Sequence, residues 1–338
     1  MMEITAGKKL NGLFHATGEK GTVCRTGTGL WALYHKEMRD HIRSRRFLLI
    51  LGLIALTSVA SLYGALTGIS DVAAENSDFI FLKLFTTSGG SIPSFLSFIA
   101  LLGPFVGLTL GFDAINSERS SGTLNRLVSQ PIYRDSIING KFLAGASIIF
   151  GMVFTMGILM TALGMLSTGL VPETEEVGRI FVFLFFTGVY ICFWLGLSIL
   201  FSVVCRHAAT SALAVIACWL FFTIFMSLLA GIIADMIYPT DGYNALFNSV
   251  SNYSCELNLN RLSPYYLYSE AVTTILNPNI RSVNVVTMSQ MSGAIAGYLS
   301  FGQSLLLIWP HLTGLCAMTL VTFAVSYIGF MRQEIRTN

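Results

Sequence analysis

The chain reads as an all-α, polytopic membrane protein with six spanning helices. Two observations predict this. Of its 338 residues, 54% are hydrophobic and only 11% charged, whereas a soluble domain carries about 25% charged residues. Six apolar runs, near 47–69, 92–115, 142–170, 180–204, 208–234 and 304–330, each reach the roughly 20 residues that a spanning helix needs. The net charge of +2 gives no sign of a nucleic-acid partner. The six cysteines are scattered without a Cys-x-x-Cys pair, so neither a disulfide framework nor a zinc site is read from them.

Residues 1–28 are rich in Gly, Thr and Lys. No apolar stretch follows their lysines, so they read as a mobile cytoplasmic tail and not as a signal peptide. Residues 29–46 predict an amphipathic connecting helix. Leu30, Tyr34, Met38 and Ile42 fall on one face, with Trp31 beside it, and the segment ends in Arg43-Ser44-Arg45-Arg46. Such a helix suits the inner membrane surface. Residues 47–330 form the membrane domain, and 331–338 a second cytoplasmic tail. With both termini inside, all but four of the 20 Lys and Arg residues are cytoplasmic, the exceptions being Lys83, Arg179, Arg261 and Arg281. That bias satisfies the positive-inside rule.

The spans carry almost no charge: Asp113 lies at an inner end, Asp235 at an outer end, and His311 near the outer end of the last span. Ionisable groups inside a membrane usually mark proton relays and ion pathways. Their scarcity argues against proton or sodium coupling. No His-Glu-x-x-His occurs, which argues against a membrane metalloprotease. No Gly-x-x-x-x-Gly-Lys-Ser/Thr loop occurs either. The chain is therefore read as no enzyme in itself, and ATP hydrolysis would need a separate subunit.

Gly103, Gly107 and Gly111 line one face of the second span. Small residues let helices approach closely, so this face predicts tight packing within the subunit or at a subunit interface. Met152, Met156 and Met160 repeat at helical spacing in the third span. A methionine stripe serves adaptable packing; as thioethers the three would also suit Cu(I). Residues 235–303 make a large outer loop. Within it Ser263-Pro264 predicts an N-cap and first turn, followed by a short helix to Leu276 whose Tyr265, Tyr266 and Tyr268 suit the outer interface. Residues 289–302 read as a re-entrant or interfacial helix. Asn252-Tyr253-Ser254 is a glycosylation sequon on the outer side, without meaning in most bacteria.

The stretch from Asp113 to Lys141 has a pattern of its own. The second span is expected to run on through Ile115 to Glu118 and Arg119, with Ser120-Ser121-Gly122 as the breaker. Thr123 to Gln130 predicts two helical turns with Leu124, Leu127 and Val128 on one face. Pro131 stops that helix, and a new one starts at Arg134–Ser136, leading through Gly140-Lys141 into the third span.

These residues, Glu118-Arg119, Gly122-Thr123-Leu124, Pro131-Ile132-Tyr133-Arg134 and Gly140-Lys141, resemble the loop of type-2 ABC transporter permeases. Ser120 stands where that family commonly has a second acid, and Tyr133 where it has a capping Ser or Thr. The resemblance implies a dimer of permeases, expected as a homodimer, in the cytoplasmic membrane of a prokaryote. Two cytoplasmic ATPase subunits would carry the ATP and Mg, with no cofactor in this chain. It implies that Glu118, Arg119, Gly122, Thr123, Leu124, Leu127, Val128 and the inner-loop Arg206 couple the membrane domain to the ATPase. Export of a lipid, peptide, drug or similar amphiphile is the expected activity. A non-transport scaffold or sensory subunit is one alternative, and a permease serving copper-enzyme maturation another.

Overall fold

The computed structural model describes residues 26–72, 79–88, 92–123, 133–240, 245–280, 282–283 and 298–333. The N-terminal tail, the expected coupling residues Leu124, Leu127 and Val128, and most of the predicted 289–302 helix lie outside them. Among the described residues all long elements are helices and no β-strand occurs. Six of them are long and apolar enough to cross a membrane.

Helix α1 (Thr26–Ile42) lies beside the bundle, and α2 (Arg45–Val72) is the first span. A short α3 (Ile80–Thr86) follows at the far end, with Phe81, Leu82, Leu84 and Phe85 buried. The second span is α4 (Phe95–Gly111), capped by Ser94, whose hydroxyl accepts from Ser97 N. The span reaches Ser120 and so takes in Glu118 and Arg119, but a turn over residues 112–115 interrupts the helix before α5 (Asn116–Ser120). The break is tolerated because the Ser202 hydroxyl accepts from Ile115 N at 3.0 Å and Asn116 N at 3.3 Å, so the freed amides stay paired inside the protein.

The third span, α6 (Arg134–Thr168), has 35 residues. At 1.5 Å per residue it is about 52 Å long, well beyond the ~30 Å hydrocarbon core. Tyr133 gives it no side-chain cap, as the missing Ser or Thr implies. The fourth span, α7 (Thr174–Val204), starts with a capping box between Glu173 and Glu176. It is the axis of the fold and the most deeply buried of the six spans. The fifth span, α8 (Ala208–Ile237), is peripheral and holds one widened π turn at Phe221–Phe225. Two further helices, α9 (Ala245–Asn260) and α10 (Pro264–Leu276), precede the last span, α11 (Phe301–Arg332).

The glycine face of α4 packs within the subunit, against α7. A Cβ on Gly107 would stand 2.7 Å from Leu195 N, and one on Gly111 would stand 2.6 Å from Ser198 Cβ. Gly103 meets Ile191 in the same way. Met152, Met156 and Met160 are buried in the apolar core.

Helices α9 and α10 enter the bundle as a hairpin. The Ser263 hydroxyl at its tip donates to Phe222 O at 2.8 Å. Phe222 lies halfway along α8 and inside the π turn, where the normal helical pairing is disturbed and a carbonyl is open to an outside donor. Tyr268 is fully buried and stacks on Tyr190 with ring centroids 4.3 Å apart. The expectation that Tyr268 sits at the outer interface is therefore corrected: it is a core residue, while Tyr265 and Tyr266 are half-buried. Asn252 of the sequon is spent on structure, donating to Asp235 Oδ1 at 2.8 Å and Tyr238 O at 2.9 Å.

Candidate functional site

The end of the bundle that holds α1, α5 and the start of α6 carries a dense polar cluster. Its centre is Lys141, only 4% exposed. Lys141 Nζ donates to Glu37 Oε1 of α1 at 3.0 Å and to Glu118 Oε1 of α5 at 2.9 Å. Lys36 adds a partly exposed cation at 3.1 Å from Glu37 and 3.6 Å from Glu118. Gly140 makes the approach of α1 possible, since a Cβ there would meet Leu33 at 3.2 Å. The Gly-Lys pair thus does two jobs: Gly140 admits α1, and Lys141 bonds it to α5.

Burial pushes the Glu37 carboxyl up, but Lys141 and Lys36 outweigh that, and the group is held below the usual carboxylate range. Burial likewise lowers Lys36, and Glu37, Glu118 and Asp40 more than reverse it, leaving the ammonium above its ordinary value. Glu118 Oε2 is buried without a partner. Arg46 and Asp113 form a second pair at 2.6 Å. Beside the cluster lies a cavity of about 480 Å³ lined by Lys36, Asp40, Ser117, Ser121 and Thr123 among others. α1 turns Leu33 and Glu37 inward, while Trp31 and Ile42 at the edge of its apolar stripe are exposed.

The other residues expected to couple are placed as follows. Arg119 reaches across to Gln333 at the end of α11. Gly122 has φ 69°, a left-handed conformation that glycine adopts without strain. Thr123 is exposed, and its hydroxyl donates to Glu118 O at 3.3 Å. Arg206 is exposed in the turn between α7 and α8. Sequence reading missed Glu37 and Gln333, and it had Arg134 in the motif without its partner. Arg134 Nη2 donates to Phe330 O at 3.1 Å and Gln333 O at 2.7 Å, so it caps the free carbonyls at the end of α11.

The α9–α10 hairpin and the start of α7 have their own charged contacts. Arg261 makes two bonds to Glu270, at 2.9 and 3.0 Å, and His311 Nε2 meets Glu270 Oε2 at 2.6 Å. The spans hold more charge than the sequence reading gave them, since Lys141 lies in α6 and Arg179 in α7, and the α9–α10 hairpin carries a carboxylate and a guanidinium in beside His311. Arg179, fully buried, pairs with Glu175 at 2.8 Å and also donates to Ile275 O, Leu299 O and Ser304 Oγ. It ties α7, α10 and α11 together.

Two curated relatives share part of this chain. One, from Pseudomonas aeruginosa, is named a probable ABC transporter permease protein NosY; it is 29% identical over 202 residues, covering 59% of this chain and 68% of the relative. A like-named protein from Stutzerimonas stutzeri is 32% identical over 152 residues, covering 45% of this chain and half of that protein. A family model described as ABC-2 family transporter protein matches residues 31–335. That match takes in both ends of the bundle and every cluster described above, and by it the chain belongs to the ABC-2 family, as a permease-type membrane subunit of an ABC transporter.

Proposed function

We propose that this permease works as an exporter subunit, moving an amphipathic substrate such as a lipid, peptide or drug outward with energy from a separate ATPase. The observation that carries this reading is the Glu37–Lys141–Glu118 cluster. It binds α1, α5 and α6 into one body, and the sequence joining α5 to α6 carries Leu124, Leu127 and Val128, whose apolar side chains suit a groove on a partner. In this reading that end is cytoplasmic, both termini lie inside, and the α9–α10 hairpin lies on the outer half. ATP and Mg are held by the ATPase, so the chain needs no cofactor of its own. Two permease copies, expected as a homodimer, would sit on two ATPase copies in a prokaryotic cytoplasmic membrane. The apolar, largely unburied face of α8, with Phe221, Ile224, Phe225 and Leu228, suits contact with lipid or with that second copy.

The test is co-expression with a Walker-type ATPase encoded beside it, purification in nanodiscs, and mass spectrometry of bound material. The expected result is a stable complex whose ATP hydrolysis exceeds that of the ATPase alone, with a lipid-like or amphipathic molecule retained. A permease that purifies alone and stimulates nothing would favour the scaffold or sensory alternative.

A further inference from the structure

Three helix ends meet at one side chain that the family match does not single out. Gln333 follows the last residue of α11. Its Oε1 accepts from Arg119, just ahead of the 124–132 segment. Its Nε2 donates to Val203 O at the end of α7, 2.6 Å away. Its main-chain oxygen accepts from Arg134, just after the segment, at 2.7 Å. The Arg134 guanidinium also lies 5.4 Å from the Phe330 ring centroid. Asn116, with its amide nitrogen turned toward the carbonyls, donates to Ser202 O at 2.8 Å and Cys205 O at 2.7 Å. The free carbonyls of α7 and α11 are therefore capped by residues from both flanks of one short segment.

We propose that Gln333 is a positioning residue for coupling: it clamps the end of α5, through Arg119, and the start of α6, through Arg134, to the end of α11, so that a displacement of those helix ends is delivered along α11 to the hairpin. This rests on the exporter reading above. The mechanical argument starts from α11 itself. Below Pro310 it is an unbroken helix to Arg332, and such a helix is stiff over that length. Pro310 removes one backbone bond and supplies a bending point. The next residue, His311, is the one bonded to Glu270 of α10. Arg179 binds Ser304 of α11 and Ile275 O of α10 on the far side of that point. A pull on Gln333 therefore reaches the hairpin through a stiff helix and a hydrogen-bonded contact beside Pro310. Arg119 and Arg134 differ from the Lys141 cluster in this respect, because Lys141 holds α1 and does not reach α11.

The experiment uses the permease–ATPase complex in nanodiscs, with native cysteines replaced and Ser269→Cys added. Ser269 is half-buried on α10 beside Glu270. The rate of its reaction with a water-soluble maleimide is measured without nucleotide and after trapping with ATP and vanadate. With Gln333 intact the two rates should differ by about three-fold or more, as a shift between two populated states requires. Gln333→Leu removes the bonds to Arg119 and Val203 and leaves the main-chain bond from Arg134, so it should cut the difference between the two rates by about half or more while the ATPase still copurifies and hydrolyses ATP. Gln333→Glu keeps the bond from Arg119 but loses the donor to Val203 O, and should give a ratio between those of Gln333→Leu and the parent. Arg119→Met removes the same bond from the other side and should reproduce the Leu result if Gln333→Leu fails to fold. An unchanged ratio in Gln333→Leu would overturn the clamp. So would the absence of any nucleotide effect with Gln333 intact, and in that case ATPase stimulation by the permease would still judge the exporter reading independently.

Discussion

Lys141 Nζ donates to Glu118 Oε1 at 2.9 Å, which closes the 113–141 segment on itself: the residue that ends it bonds the residue that precedes its turn. The same ammonium holds Glu37, 104 positions away in the chain. Removing one partner of a buried, hydrogen-bonded charge pair costs about 3–5 kcal/mol, since it strands the other.

Lys141→Met strands two carboxylates. It should lower the unfolding midpoint in detergent by on the order of 10 °C, and adding Glu37→Gln and Glu118→Gln should recover most of the loss. The pH dependence follows from the directions of the shifts. Glu37 is held below its ordinary 4.5, so its contribution is present above that value and lost as pH falls through the folded value. Lys36 is held above its ordinary 10.5, so its contribution is present below that value and lost as pH rises through the folded one. Thermal unfolding followed against pH should therefore decline at the acid end, and Glu37→Gln should flatten that decline.

Gly107 sets the distance between α4 and α7. Gly107→Leu places a side chain where Leu195 N would already be 2.7 Å from the Cβ. Backbone cannot yield as a side-chain tip does, so the helices must part, at a cost above the usual 1–3 kcal/mol, roughly, of overpacking. Size-exclusion profiles of the purified variant should show aggregation or loss of folded protein, whereas Gly151→Ala, with open space around its Cβ, should behave as the parent does. A well-folded Gly107→Leu would show that this approach is not required.

Much of this was legible from the sequence because it depends on local chemistry. Hydropathy located all six spans, the glycine spacing located the α4 face, and Ser263-Pro264 marked the start of α10. What escaped was non-local. Nothing near Glu37 says that its partner is Lys141, and nothing near Gln333 says that it gathers Arg119, Arg134 and Val203. Helix α9 is too polar to read as a span, so the hairpin and its Arg261–Glu270–His311 contact were invisible in a count of charges within spans. Tyr268 looked like an interface tyrosine because aromatic composition does not reveal which side of a helix faces inward.

The charge bias leads us to expect the Lys141 end of the bundle inside and the α9–α10 hairpin on the outer half. In intact cells an impermeant maleimide should label Ser251→Cys on α9 and should leave Ser121→Cys unlabelled, both being exposed positions. The opposite pattern would invert the membrane orientation and with it the placing of the ATPase.

Met152, Met156 and Met160 pack in the core, and Leu conserves their volume at a cost of usually below about 1.5 kcal/mol each. The triple Leu variant should fold, and its copper content by elemental analysis should match that of the parent protein. A parent that binds stoichiometric copper and a triple variant that loses it would establish a Cu(I) site here.

The most direct measurement of the account is permease-stimulated ATP hydrolysis with Leu127→Asp. Leu127 belongs to the apolar trio with Leu124 and Val128 in the segment that the Lys141 cluster and Gln333 bracket. Each such side chain contributes roughly 1.5–3 kcal/mol when fully buried, and an unpaired carboxylate in its place costs several kcal/mol. In nanodiscs, the variant should insert normally while docking or stimulation of the ATPase falls by about two orders of magnitude or more. Full stimulation by Leu127→Asp would contradict the assignment of this segment as the coupling element.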